Sequence, residues 1–282
     1  MERMSDERPD GYGTHGTDRS ANGLLVVVLI TTAFMCVGSI GGAGWFAWRA
    51  TQNVIDRERE ARENSDLASQ EAERALTRAH FEKLAKVIAA SARAGRLPQD
   101  IYDPQGKPLL SWRVMLLREA EGDPQLFARF KLDEPWDGPT NRPLLQQMPR
   151  MYTPPEPPSA TGPNRTFSRG FSHEGAAFGP PNRPTAFRQT STITAPISDV
   201  LIVVDSASSI EWTRPDQLLW NPGDKRPVFR EYVLRNDAFL AISADGQVHE
   251  VKRTLPDETL RALFETREEK RPGLRITGEM RR

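Results

Sequence analysis

Four histidines, His15, His80, His173 and His249, are scattered along the chain. Imidazole is the side chain best suited to move protons or hold metals near neutral pH. His173 stands in Phe171-Ser-His-Glu174, between Gly170 and Gly175. A hydroxyl and a carboxylate beside an imidazole are the ingredients of nucleophilic hydrolysis. No G-x-S-x-G turn accompanies them, and a surface histidine explains the same residues. His80 precedes Leu84 by one helical turn and reads as a packed or boundary residue. Asp133, Glu134 and Asp137 could surround a hard cation, because calcium takes carboxylate oxygens. Their spacing is not that of an EF-hand loop, and Pro135-Trp136 between them reads as a structural turn. Asp205 follows Val200-Leu-Ile-Val-Val204 and precedes Ser206-Ala-Ser-Ser209. In a parallel sheet it would face a ligand crevice, whereas the antiparallel connections predicted here make it a turn cap. No phosphate-cradling glycine loop, zinc spacing or glycosidase-like carboxylate constellation stands out. The sequence therefore assigns no catalytic residue, metal ligand or cofactor.

The elements that would position such groups are unevenly composed. Of 282 residues, 38 are basic and 38 acidic, a balance that gives no reason to expect a nucleic-acid partner. The one cysteine, Cys36, rules out an internal disulfide, so packing and hydrogen bonds must hold the fold. Residues 20–48 carry no charge. About 20 apolar residues in a helix span the ~30 Å hydrocarbon layer, so residues 23–48 are predicted as a single transmembrane helix behind a disordered tail, residues 1–22. Trp45 and Trp48 ahead of Arg49 read as an interfacial belt. On this reading the lipid bilayer is a partner, and Gly38 and Gly42 form a small-xxx-small pair able to bring two such helices together. Three arginines precede the run and four follow it closely, which leaves orientation open.

Residues 49–74 are rich in Ala, Glu and Arg, and pairs such as Glu58–Arg62, Glu71–Arg74 and Glu82–Lys86 have helical spacing. They predict a charged helical stalk. From Leu76, the positions Phe81, Leu84, Val87 and Ile88 form an apolar side that docks on a domain, with Gly95 as its cap. Residues 97–196 hold 17 of the 23 prolines. A helix is predicted over residues 109–120 and a Pro-rich excursion over 153–184. A buried strand is predicted over 200–204, and a hairpin pairs 239–243 with 247–251 across Ala244-Asp-Gly246. A last helix is expected over 256–266 and a charged flexible tail over 269–282. Helix first and antiparallel strands late make residues 75–268 an α+β domain, with the long helix lying on a small antiparallel sheet.

Several motifs in order, Gly106-Lys-Pro-Leu-Leu-Ser-Trp-Arg-Val114, Phe130-Lys-Leu-Asp-Glu-Pro-Trp-Asp137, Asn141-Arg-Pro-Leu-Leu145 and Met148-Pro-Arg-Met-Tyr152, resemble a prepilin-like family of planctomycete bacteria, domain of unknown function 1559. Glu211-Trp-Thr-Arg-Pro-Asp216, Ala244-Asp-Gly-Gln-Val248 and Thr259-Leu-Arg-Ala-Leu263 extend the resemblance over about residues 70–270. The resemblance implies a pilin-like helix on a small sheet, with the globular part outside the cytoplasmic membrane. The chain departs from the family in its N-terminal processing signature. It also lacks a cysteine beside Tyr152 and a histidine ahead of Asp245-Gly246. No functional residue is carried over. The function expected from these readings is a membrane-anchored structural or interaction protein of the bacterial cell envelope, pseudopilin-like. The alternatives are a membrane-tethered ligand-binding or sensor module and an exported hydrolase built on His173.

Overall fold

The computed structural model describes residues 41–276, except 155–161, 173, 174, 179–186, 216, 217, 219, 221, 222, 231–237 and 272. Helix α1 is Gly41–Arg93, 53 residues. Strong helix formers carry it, and it stops where Gly95 takes φ +75° and donates its N–H to Ala92 O at 2.9 Å. The chain divides into two units, Met1–Asp66 and Leu67–Arg282. In the first, Trp45, Phe46 and Trp48 are exposed, and the Arg49 guanidinium sits 4.9 Å from the Trp45 ring. The predicted pair Glu58–Arg62 lies at 4.0 Å. With both side chains in water, such a pair adds little to stability.

The membrane reading is corrected here. Residues 23–40 of the expected span, Gly38 among them, lie outside the described residues. The described remainder, Gly41 to Trp48, opens a helix that turns ionic at Arg49 and carries Asp56, Arg57, Glu58, Arg59 and Glu60 soon after. Each such charge is costly in hydrocarbon. Among the described residues no helix is long and apolar enough to cross a membrane. The single-pass anchor, the bilayer as partner, association through Gly38 and Gly42, and placement at the cell membrane are therefore not supported. The pseudopilin-like envelope role and the membrane-tethered alternative rested on that anchor and fall with it. The expected single small sheet is corrected as well: among the described residues the α+β fold has three sheets, of two, two and four strands.

The second unit is built on the four-stranded sheet. Its strands are β4 (Arg165–Gly170), β6 (Leu201–Glu211), β7 (Ala238–Ser243) and β8 (Val248–Lys252), in the spatial order β4-β6-β7-β8 and antiparallel throughout. Both faces are covered. Leu240 and Ile242 of β7 join Phe81, Leu84, Val87 and Ile88 of α1 in one buried cluster. Phe239 and Ala241, one step out of phase, join Leu260, Leu263 and Phe264 around helix α4 (Asp257–Ala262) in another. This is the period-two alternation of a strand buried on both sides. Burying each such side chain contributes ~1.5–3 kcal/mol. In β6 the alternation slips: Leu201 and Val204 face the α4 side, while Ile202 and Val203 both belong to the α1 side. The register shifts between Leu201↔Ser243 and Val203↔Ile242, so a β-bulge absorbs one residue.

Two ion pairs tie α1 to the sheet. Arg74 and Arg78 both reach Glu250 of β8, Arg78 at 2.8 Å, and Arg78 also lies 3.5 Å from Glu82. Helical spacing alone pairs these basic residues along the helix. The strand brings a carboxylate from 172 residues away that competes for them.

The smaller sheets pair β1 (Arg96–Pro98) with β5 (Phe187–Gln189), and β2 (Ile101–Tyr102) with β3 (Pro108–Leu110). The helix expected over 109–120 is shorter. It is α2, Trp112–Leu116, opened by the Ser111 side chain accepting from the Arg113 N–H. Helix α3 is Pro124–Phe127. Strand β4 lies inside the stretch read as a Pro-rich excursion, where Thr166 and Ser168 are buried. Of the expected tail, residues up to Ile276 are described. The buried Arg271 donates to Asp199 O at 2.6 Å, and the Ile276 N–H donates to the Asp199 carboxylate at 3.1 Å.

His80 is packed on α1, as its spacing suggests. Burial first, and Lys83 second, push it down from 6.5 to about 4. The unfolded chain then binds more protons between those values. The stability this buried neutral ring contributes is full above pH 6.5 and is lost as the pH falls toward 4, by about 2 kcal/mol at pH 5. Urea midpoints at pH 7 and pH 5 should differ accordingly in the native sequence, and the difference should shrink in His80→Gln. An undiminished pH dependence in that variant contradicts the assignment.

Candidate functional site

Among the described residues, those singled out for chemistry do not assemble into a catalytic centre. His173 lies outside the described residues. Glu134 Oε1 accepts the Thr140 N–H at 2.6 Å. Desolvation works to raise its carboxyl, but bonds from Thr140 and Asn141, with Lys131 nearby, hold it below the usual range. The same turn is stitched by buried Asn141, whose Oδ1 accepts from Lys131 N at 3.0 Å and whose Nδ2 donates to Lys131 O, Glu134 O and Pro135 O at 2.8, 2.9 and 3.3 Å. Glu134 therefore serves a turn, and among the described residues no group of three His, Cys, Asp or Glu could hold a metal.

A serine, a histidine and an aspartate do meet at the β7–β8 hairpin. His249 Nε2 is 3.0 Å from Ser243 Oγ, and Ser243 Oγ donates to Asp245. The geometry is wrong for hydrolysis, because the carboxylate accepts from the hydroxyl instead of orienting the imidazole. Ser243 and His249 are also buried, which denies a substrate access.

Asp205 does not end its strand: β6 continues to Glu211, so the carboxylate lies mid-strand and 1% exposed. This corrects its reading as a turn cap. Beyond Val204 the strand changes partner, leaving β7 and pairing only with β4 on one side. On the other side residues 225–230 come alongside: Ser206 bridges Phe229, Ala207 N donates to Val228 O at 3.1 Å, and Arg230 N donates to Asp205 O at 3.1 Å.

An open cleft of about 420 Å³ results, lined by Arg169, Ser206, Ala207, Ser208, Leu218, Lys225, Pro227 and Val228. Its floor is polar. Arg169 Nη1 donates to Ser208 Oγ at 2.9 Å, and the Ser206 and Ser208 hydroxyls stand 3.2 Å apart. Behind the lining, Arg230 Nη1 is 3.9 Å from Asp205 Oδ1, with its guanidinium 4.4 Å from the Phe167 ring. Among the described residues no acidic one lines the cleft. Arg169 and Lys225 thus bring two basic side chains to the cleft, with the Arg230–Asp205 pair beside it.

Sequence reasoning missed this site because β4 and the 225–230 segment are far from Ser206 along the chain. The available signal was that the apolar run 200–204 continues without a break into Asp205 and three serines. That pattern suits a strand leaving a two-sided core for a wet edge.

A second open cavity of about 590 Å³ lies between α1 and the hairpin, where Arg78, Glu82, Lys86, Arg93 and Glu121 mix both signs of charge. Comparison with family models, with curated proteins and with solved structures found no match to the chain.

Proposed function

We propose that the Leu67–Arg282 unit is a binding domain that recognises an anionic group in the Arg169 cleft, in a chain related to the planctomycete prepilin-like family. The family half of this reading rests on the motif residues. Ser111 caps α2, Arg113 holds β4 through Ser168 O, Asn141 stitches a turn, and the Trp212 indole donates to Leu145 O at 3.0 Å. These are internal posts of a scaffold, as expected of motifs that specify a fold and not an activity.

The binding half rests on one observation, a concave site lined by Arg169 and Lys225 together with the Ser206 and Ser208 hydroxyls. Charge-assisted hydrogen bonds from guanidinium and ammonium groups are the strong ones available to an anion. Among the described residues the cleft's lining holds no histidine or carboxylate to accept a proton, so recognition fits it better than acid–base catalysis.

Titration of the full chain with sodium acetate and sodium phosphate at low ionic strength, followed by calorimetry, tests this. Saturable binding of at least one is expected, weakened about tenfold or more in Arg169→Gln. A smaller loss is expected in Lys225→Gln, since Lys225 is exposed and screened. Absence of saturable binding, or affinities indifferent to both substitutions, would overturn the proposal.

A further inference from the structure

We infer that the outer edge of β8 and the groove beside it take an extended peptide segment of a partner protein, one with an apolar residue and an acidic residue two positions apart.

The backbone sets the class of occupant. The hairpin closes with Ser243 N donating to Gln247 O and Gly246 N donating to Ser243 O, both at 2.9 Å. Hydrogen-bonded pairs alternate along an antiparallel ladder, so from this closure they fall at Ala241↔His249 and Phe239↔Val251. The N–H and C=O of Val248 and Glu250 therefore point away from β7, at the end of the strand order β4-β6-β7-β8. Among the described residues no other backbone group bonds to them. The opposite edge of the sheet differs, because the Arg113 guanidinium occupies Ser168 O of β4. A charged side chain can also guard an open edge, but Glu250 is turned to Arg74 and Arg78 of α1. Donors and acceptors alternating at strand spacing are met by another extended polypeptide.

The groove sets the side chains. A residue paired with Val248 would share its face of the sheet, the face on which Val248 lines the cavity of about 590 Å³ along α1. Ala85, Ala89 and Gly246 also line that cavity, and their small size leaves room for a large apolar side chain. Of the charged lining, Arg78 is held by Glu250 and Glu82. Lys86 and Arg93, two turns apart and so on one flank of α1, have no ion-pair partner among the described residues, and Glu121 has none either. Two cations against one carboxylate favour an acidic residue beside the apolar one. Arg78 to Arg93 is about 22 Å of helix, the reach of about six or seven extended residues.

The test titrates the full chain into fluorescein-labelled Thr-Val-Thr-Leu-Thr-Glu-Thr, blocked at both ends, and follows anisotropy. Saturable binding is expected. Two further versions carry N-methyl groups on alternate amides, one on the odd and one on the even positions. Only one set of amides can face β8, so one version should bind about tenfold or more weakly than the other. Lys86→Glu combined with Arg93→Glu, at exposed positions where folding is not at stake, should weaken the glutamate peptide about tenfold. A peptide with lysine in place of glutamate should prefer that double variant to the native sequence. No saturable binding, equal losses from the two N-methyl patterns, or indifference to the charge swap overturns the inference. Sedimentation of the chain alone as a dimer that the peptide dissociates would assign the edge to a second copy, and also overturns it.

Discussion

Arg113→Ala should lower the stability of the Leu67–Arg282 unit by roughly 4 kcal/mol, out of the ~5–15 kcal/mol that holds a typical domain. The Arg113 side chain is fully buried. Its Nε and Nη2 donate to Ser168 O at 2.9 and 2.6 Å, its Nη1 donates to Ser111 Oγ at 2.7 Å, and its guanidinium lies 4.7 Å from the Trp112 ring. Ser168 belongs to β4, an edge strand of the four-stranded sheet. Its carbonyl would be an open docking point for another strand if the arginine did not occupy it. Truncation leaves that carbonyl buried without its donors, at ~1–3 kcal/mol. It also empties the space beside Trp112, which adds a cavity cost of similar size. Arg113→Lys keeps the charge but not the planar fork, so it should recover only part of the loss. Thermal unfolding followed by circular dichroism should show a midpoint about 10 °C lower for the alanine variant. A shift below about 3 °C would mean that the β4 edge is held by something else.

Gly246→Val should cost about 3 kcal/mol, for two separable reasons. The hairpin turn puts Gly246 at φ +83°, where an L side chain is strained by ~1–2 kcal/mol. In addition, a Cβ there would fall 2.5 Å from Ala85 O, 2.6 Å from Ala89 Cβ and 2.8 Å from Ala89 N. The turn packs directly on α1, so the substitution must push the hairpin off the helix, at ~1–3 kcal/mol. Gly95 supplies the control. It has φ +75° but nothing within 4 Å of the added carbon, so Gly95→Ala should lose only the backbone contribution, about 1 kcal/mol. Chemical denaturation of the two variants measures the difference. Equal losses would show that the approach of the turn to Ala85 and Ala89 carries no energy.

That pair of glycines marks how far the sequence could be read. Both announce themselves locally, one after a run of helix formers and the other in Ala244-Asp-Gly246 between alternating apolar residues. The structure places Gly95 at the end of α1 and Gly246 between β7 and β8. The apolar face of α1 was legible from Phe81, Leu84, Val87 and Ile88, which are buried together. What local pattern could not reveal is where a polar residue finds its partner. Arg113 meets Ser168 across 55 residues and Arg74 meets Glu250 across 176. Strand β4 hides among prolines and polar side chains because its burial comes from neighbours and not from its own composition. The Arg169 cleft needs both β4 and residues 225–230 brought to β6, so no window along the chain contains it. Charge-free composition over residues 20–48 supported a span strongly, but composition alone does not describe a helix that becomes ionic from Arg49 onward.

The bulge in β6 has a consequence for how the chain can change in length. Removing a residue from within β7 would turn the rest of that strand over, presenting the α4-side residues to α1. Between Leu201 and Val204 the opposite holds. With Ile202 and Val203 both directed to the α1 side, loss of either leaves Leu201 and Val204 in phase with their neighbours. Single-residue deletions that keep the sheet's two faces correctly assigned should therefore be found at this point of β6.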